Sequence, residues 1–346
     1  MKISLLLFTF IICSIKTYAQ DIHFSQFNQI ATQLDPSQTG KFRGTQRAII
    51  NYRSQWSSVA SPYVTYGLGF DSKIGSKKNF FAAGFNMYND KAGDIKMGTF
   101  LLNATVAYHL KISTNTYLST GIQGGILQRS IDASKMTFDN QFNGSNYDPS
   151  INPGELIENY AFVEPDFSIG TSFHYKTKTG NNVVMNNGFR GKEVNVGLSA
   201  QHVSRPSFSY LADKNEKQAM KYILYFNTSF GLPGESMALQ PSGFFGYQQG
   251  AFDYVFGTYV RYTVKEKSKY TFFSNGKSYK LGVFYRTLDA LILSLVLEKG
   301  YFSLGTSYDI NLSGLSVASH ARGGIEFSLK FTYPNPYQTR ISLPRM

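Results

Sequence analysis

The side chains best suited to proton transfer or metal binding are the five histidines, His23, His109, His174, His202 and His320. They are dispersed, with no HExxH pair and no carboxylate at ligand spacing, and the one cysteine, Cys13, lies far from all but His23. A metal site needs clustered ligands, so none is expected. No GxSxG, Walker or dinucleotide fingerprint occurs, so no cofactor is expected either. His202 and Ser204 can be drawn as a base and a nucleophile, but such neighbours arise by chance at strand ends. No catalytic residue is assigned, and the chain reads as a non-enzyme. Two other groups are more informative. Arg53, Glu164, Asp166, Glu193, Asp253, Arg261, Arg286, Glu326 and Lys330 fall on polar faces of alternating segments. Enclosed together, such charges must pair or meet water, which describes a filled or plugged lumen rather than a reactive site. Phe138, Phe142 and Tyr147 lie in a long connection with few charges. Exposed rings are unfavourable in water unless they pack locally or meet a partner. These three are the candidate partner-binding residues, with packing over the mouth of the fold as the competing explanation.

The elements that position these groups follow from composition and periodicity. The chain has 346 residues, 16% charged and 16% aromatic, with Gly 31, Tyr 24 and Phe 29. Few charges with many aromatics exclude disorder and coiled coils. A mean hydropathy of −0.22 is too polar for a helical membrane protein of this size. No run approaches the roughly 18 apolar residues of a spanning helix; Leu291–Leu297 is only strand-length. The dominant signal is period-2 alternation. Val194, Val196, Leu198 and Ala200 alternate with polar neighbours, as do Phe252, Tyr254, Phe256, Thr258, Val260 and Tyr262. Such segments fall near 46–56, 62–71, 79–89, 99–110, 116–128, 161–175, 192–202, 220–231, 238–248, 252–263, 278–286, 290–298, 300–309 and 322–332. Their length suits transmembrane strands of about 9–11 residues rather than soluble strands of about 5–6. Tyrosines such as Tyr52, Tyr66, Tyr88, Tyr108, Tyr222, Tyr262 and Tyr308 near segment ends suit the headgroup level. Gly121, Gly124 and Gly125 fall within a strand, where glycine eases curvature. The expected fold is all-β: a transmembrane antiparallel β-barrel of about 14 strands with a short N-terminal plug-like segment.

The expected organisation has four parts: a signal peptide over 1–19, a plug or mouth-lining segment over 20–45, the barrel over 46–332 and a tail over 333–346. Lys2, the apolar stretch from Ile3 to Ile15 and Thr17-Tyr18-Ala19 carry the signal-peptide pattern. Without Lys2 and Lys16, 32 basic residues face 22 acidic ones, a charge of +10. Those cations are scattered, so no nucleic-acid partner is expected. In the segment 20–45, Phe24, Phe27, Ile30 and Leu34 have helical spacing, with Pro36 and Gly40 as stop signals. Short links near 75–78, 111–115, 232–235 and 298–300 occur at every second connection, as periplasmic turns do. The longest connection, 130–160, and a second loop, 204–218, then face outward. The links 176–191 and 265–277 break this rule, being long yet periplasmic.

Asp21-Ile-His-Phe-Ser-Gln-Phe27 followed by Leu34-Asp-Pro-Ser-Gln-Thr-Gly40 resembles the opening of the PorP/SprF family of type IX secretion membrane proteins. The family usually reads QDPHFSQ followed by an NPA-x-TG element. Ile22 stands here for its proline, and Asp35-Pro36-Ser37 for Asn-Pro-Ala. Tyr52-Arg53-Ser54-Gln55-Trp56 resembles the family's first-strand Tyr-Arg-x-Gln-Trp motif, and Gly323-Gly-Ile-Glu-Phe-Ser-Leu329 its closing strand. The resemblance implies an outer-membrane protein of a Gram-negative bacterium. Its implied partners are type IX secretion components, the surrounding lipid and a large secreted surface protein, such as a gliding adhesin, engaged through its C-terminal domain. A transporter for hydrophobic small molecules, gated by the N-terminal segment, is the alternative.

Overall fold

Period-2 alternation is realised as fourteen antiparallel strands. These are β1 (Gln46–Gln55), β2 (Tyr63–Ile74), β3 (Phe80–Ala92), β4 (Met97–Lys111), β5 (Thr116–Ser130), β6 (Ala161–Lys176) and β7 (Lys192–Gln201). They continue as β8 (Lys221–Gly231), β9 (Met237–Gln248), β10 (Ala251–Lys265), β11 (Lys277–Arg286), β12 (Ala290–Lys299), β13 (Phe302–Asn311) and β14 (Arg322–Tyr333). The computed structural model describes residues 21–58, 61–75, 78–152, 154, 160–177, 191–210, 216–232, 236–265, 276–314 and 316–333. The segment read as a signal peptide, all but Tyr333 of the tail and most of the two long links 176–191 and 265–277 lie outside these residues.

Each strand pairs with its neighbour in sequence, and β1 pairs with β14 from Gln46↔Tyr333 to Ser54↔Ile325. The barrel is closed. Closure leaves no edge strand, so every strand has backbone partners on both sides, as lipid requires. β1 has 10 residues and β6 has 16, enough in both cases to cross a hydrocarbon core obliquely.

Side chains alternate accordingly. Ile50, Tyr66, Phe70, Phe81, Phe85, Phe167, Phe256 and Leu281 point outward and are exposed, while Arg53, Asn51, Asn103, Ser172, Asn195 and Glu326 are buried within. Most of the tyrosines assigned to a girdle do lie outside, and Tyr52 and Tyr66 pair there with ring centroids 5.3 Å apart. Tyr88 does not: it is buried on the inner face and meets Phe24 at 5.8 Å. Tyrosine's strand preference, not the girdle, explains it.

The two ends of the barrel differ. One, the terminal end, carries residues 45 and 333, joined by Thr45 N–H donating to the Tyr333 carbonyl at 2.9 Å. The other, the loop end, carries the connections 131–160 and 202–220.

Candidate functional site

Residues 21–45 occupy the lumen. Their backbone begins at the loop end, where Asp21 meets His202 and Gln218, and leaves at the terminal end beside Tyr333. The segment therefore runs the whole length of the barrel. Helical spacing over 24–34 predicts one helix, but the chain makes turns over 25–29, a helical turn α1 (Ala31–Leu34) and a 3-10 turn (Pro36–Gln38). The reason is that the apolar side chains serve two walls rather than one helix face. Phe24 and Ile30 pack with Ile49 and Tyr88. Phe27 and Leu34 join Ile223, Tyr225, Phe244, Val255, Tyr259, Phe284, Ile292 and Val296. The Phe27 ring meets Phe244 at 5.2 Å and Phe284 at 5.8 Å, both edge-on, a favourable quadrupole geometry.

Polar contacts tie the segment at every level. Near the loop end, Ser25 N–H donates to Glu326 Oε2 at 2.7 Å, Ser25 Oγ to Asp309 Oδ2 at 2.7 Å and Arg53 Nη1 to the His23 carbonyl at 2.7 Å. At mid-height, Asn28 Nδ2 donates to Ser242 Oγ at 2.8 Å and Thr32 Oγ1 to Asn86 Oδ1 at 3.1 Å. Lower down, Asp35 accepts from Ser37 N–H, Ser37 Oγ and Tyr225 Oη, each at 2.7 Å. Lys41 Nζ donates to Asn195 Oδ1 at 2.5 Å. Gly40 N–H donates to Asp71 Oδ2 at 2.7 Å, and Arg47 grips the same carboxylate at 2.7 and 2.8 Å.

Two inner-face glycines explain how the segment fits so closely. A Cβ at Gly121 would strike the Pro36 carbonyl, and one at Gly170 would strike the Asp35 carboxylate. Curvature accounts better for Gly124 and Gly125, whose neighbours belong to adjacent strands. For Gly121, room for the segment is the reason.

The charges singled out by alternation are largely brought together. Arg53, Arg286 and Glu326 converge with Asp309: Arg53 lies 3.0 Å from Asp309 and 3.7 Å from Glu326, and Arg286 lies 3.2 Å from Asp309. Arg261 pairs with Glu298 at 2.8 Å, and Lys330 Nζ donates to Gln29 Oε1 at 2.7 Å. Glu193 meets Lys176, His174 and Arg43 at 3.2, 3.5 and 3.8 Å. Sequence reasoning missed Asp309, Glu298, Asp71 and Asp21. It also missed the apolar sector on the inner face of β8–β12, although stretches such as Tyr222–Phe226 and Leu291–Leu297 are apolar on both faces.

His202 is no catalytic base for Ser204. Its Nδ1 faces Asp166 Oδ1 and its Nε2 faces Asp21 Oδ2, both at 3.0 Å, while Ser204 Oγ donates to the Pro165 carbonyl at 3.0 Å. Carboxylates only accept, so both ring nitrogens donate and the ring is an imidazolium. Burial works against that charge, but Asp21 and Asp166 overcome it and the ring is pushed up to about 10. Burial likewise opposes the Asp21 charge, yet His202 holds that carboxyl well below the usual carboxylate range. Released, His202 returns toward its ordinary value of about 6.5. With Asp21 ionised, the His202 charge therefore contributes fully between pH about 5 and about 6.5 and loses that contribution as pH rises through about 10. Amide exchange at residues 21–24, corrected for its intrinsic rate, is expected to accelerate across that window and stay slow down to pH about 5. His202→Gln is expected to accelerate it throughout. A corrected rate independent of pH and of this substitution would show that the clamp does not hold the segment.

Phe138, Phe142 and Tyr147 lie together on the β5–β6 connection at the loop end. Phe142 and Tyr147 form an isolated bridge and are exposed by 56% and 43%, while Phe138 is half-buried.

The family model described as type IX secretion system membrane protein PorP/SprF matches residues 16–331. The chain belongs to the PorP/SprF family. A closed barrel of that family, working in type IX secretion, is a protein of an outer membrane. Among solved structures, this PorP/SprF chain is similar to the CymD monoaromatic hydrocarbon channel at 8% identity, covering 88% of this chain and 93% of that one, with a TM-score of 0.47. A mutant of the TodX monoaromatic hydrocarbon channel gives 8% identity, 87% and 93% coverage and a TM-score of 0.46. A porin mutant from Rh. blastica gives 5% identity, 83% and 98% coverage and a TM-score of 0.29. No curated protein matches the chain.

Proposed function

We propose that this PorP/SprF barrel holds a large exported protein, adhesin-like and engaged through its C-terminal domain, at the surface of a Gram-negative bacterium. In this reading the loop end faces outward and the terminal end faces the periplasm and the secretion components. One observation carries the proposal: the lumen is occupied along its length. Hydrogen bonds from residues 21–45 reach β1, β2, β3, β4, β6, β7, β8, β9, β11, β13 and β14. A partner is then engaged at an end of the barrel rather than passed through it. The same contacts speak against a transporter, which would need the segment to leave.

The β5–β6 connection is the favoured docking surface because its exposed rings sit on a loop with its own internal bonds. Tyr147 Oη donates to Gln141 Oε1 at 3.0 Å, Asp148 N–H to the Gln141 carbonyl at 2.8 Å and Gln141 Nε2 to the Ile151 carbonyl at 2.9 Å. A loop already held by its own bonds loses little freedom on binding, and aromatic anchors dominate interface energetics. The test replaces Phe138, Phe142 and Tyr147 together by serine. The barrel is expected to insert with normal heat-modifiable migration, while partner retained at the surface falls about tenfold or more. Retention at the wild-type level would move the interaction away from this loop.

A further inference from the structure

On the outer wall, at the loop end of β2 and β3, lies a cavity of about 450 Å³ that the secretion reading does not use. Val64, Tyr66 and Asn89 line it on the membrane side, and Lys91, Lys96 and Lys135 line it toward the loops. We infer that this cavity binds the phosphate-bearing headgroup of an outer-leaflet lipid. The inference rests on the loop end facing outward, as proposed above.

Depth is the first reason. Outward side chains of β3 read Phe81, Ala83, Phe85 and Met87, then change to Asn89 and Lys91. Those of β2 read Phe70, Leu68, Tyr66 and Val64 toward the same end. The apolar band therefore stops at the cavity, and a tyrosine followed by cations is the order of a membrane interface. Convergence is the second reason. Lys91 is the penultimate residue of β3, Lys96 lies in the β3–β4 turn, and Lys135 comes from a 3-10 turn of the long β5–β6 connection. That connection is tied to the turn by Asp132 N–H donating to the Ile95 carbonyl at 3.0 Å. Two carboxylates share this rim. Asp94 accepts the Ser61 hydroxyl, and Asp132 accepts the Ser134 hydroxyl at 2.6 Å and the Ser134 N–H at 3.3 Å. Asp132 lies within electrostatic reach of Lys96 and Lys135, so the rim sets three cations against two carboxylates and keeps one positive charge in excess for an anion. The volume suits a sugar-phosphate headgroup, with acyl chains left along the apolar wall below.

The test titrates the purified full-length barrel with fluorescent bisphosphorylated lipid A, with the same lipid stripped of phosphate, and with inorganic phosphate as competitor. Wild type is expected to bind the phosphorylated lipid tightest. Lys91→Ser, Lys96→Ser and Lys135→Ser, all exposed positions, are each expected to weaken it about fivefold, and together about a hundredfold. Binding of the stripped lipid is expected to be the same in wild type and triple variant. Equal affinity of wild type and triple variant for the phosphorylated lipid would overturn the site. Displacement by inorganic phosphate at the same affinity would overturn the lipid as its ligand and leave an anion site. Failure of the loop substitutions to release an exported partner would leave this inference untouched, because the two experiments read different ligands at different residues.

Discussion

Removing residues 21–45 is expected to turn a silent barrel into a conducting one. Small eight-stranded barrels are filled by their own side chains, whereas barrels of about 16–18 strands leave aqueous channels. Fourteen strands lie near the wider class, so the segment, rather than the wall, closes this lumen. Its departure would expose Asn51, Asn86, Asn103, Asn195 and Ser172, a polar lining that water wets readily. In planar bilayers the full chain is expected to give no steady current and the deleted chain stable steps. The deletion also takes hydrogen bonds from eleven strands, so Phe27→Ala serves as a milder companion. It is expected to cost about 3–5 kcal/mol of packing and to produce brief openings without loss of the barrel. Steady conductance by the full chain, equal to that of the deleted one, would show that the segment does not close the pore.

How much of this was legible in the sequence depends on what each face of a strand meets. Lipid makes the outer face largely apolar, so most strands announced themselves by alternation, a few such as Leu291–Leu297 only as a strand-length apolar run, and all fourteen fall where the reading places them. Their ends were harder to read. β2 continues to Ile74 and β3 to Ala92 because hairpin hydrogen bonding persists beyond the apolar band, where nothing enforces alternation. The inner face was legible only in part. Arg53 and Arg286 stood out as charges that had to be paired, but their shared partner Asp309 lies on a third strand, β13, and alternation carries no register between distant strands. Phe24, Phe27, Ile30 and Leu34 signalled burial correctly while misreporting the conformation, because helical spacing also suits a chain wedged between two walls. The apolar inner sector around Phe284 and Ile292 was hidden by the assumption that a lumen is polar. It exists because Phe27 and Leu34 need somewhere to be buried.

The motif arginine, Arg53, is where loss of a single buried charge is expected to cost most. It is 1% exposed, donates to the His23 carbonyl at 2.7 Å and to Asp309 at 3.0 Å, and lies 3.7 Å from Glu326. Arg286 shares Asp309 and also donates to Ser25 Oγ at 2.9 Å. Ser25 and Gln26 in turn donate their amides to Glu326 at 2.7 and 3.1 Å. Arg53 thus joins the first strand, the last two strands and the luminal segment at the seam where the barrel closes. Arg53→Met keeps much of the bulk but leaves two buried carboxylates with one guanidinium fewer, a loss of about 3–5 kcal/mol. Arg53→Lys is expected to recover only part of it, since one ammonium cannot reproduce a planar fork spanning a carbonyl and two carboxylates. Asp309→Asn added to Arg53→Met removes one of the orphaned charges, so the pair is expected to be less unstable than the sum of its singles. Midpoints of the heat-modifiable shift and of urea unfolding report the global cost. Faster amide exchange at residues 23–26 reports the local one. A change within about 0.5 kcal/mol for Arg53→Met, with exchange at 23–26 unaltered, would show that the seam holds without its central cation.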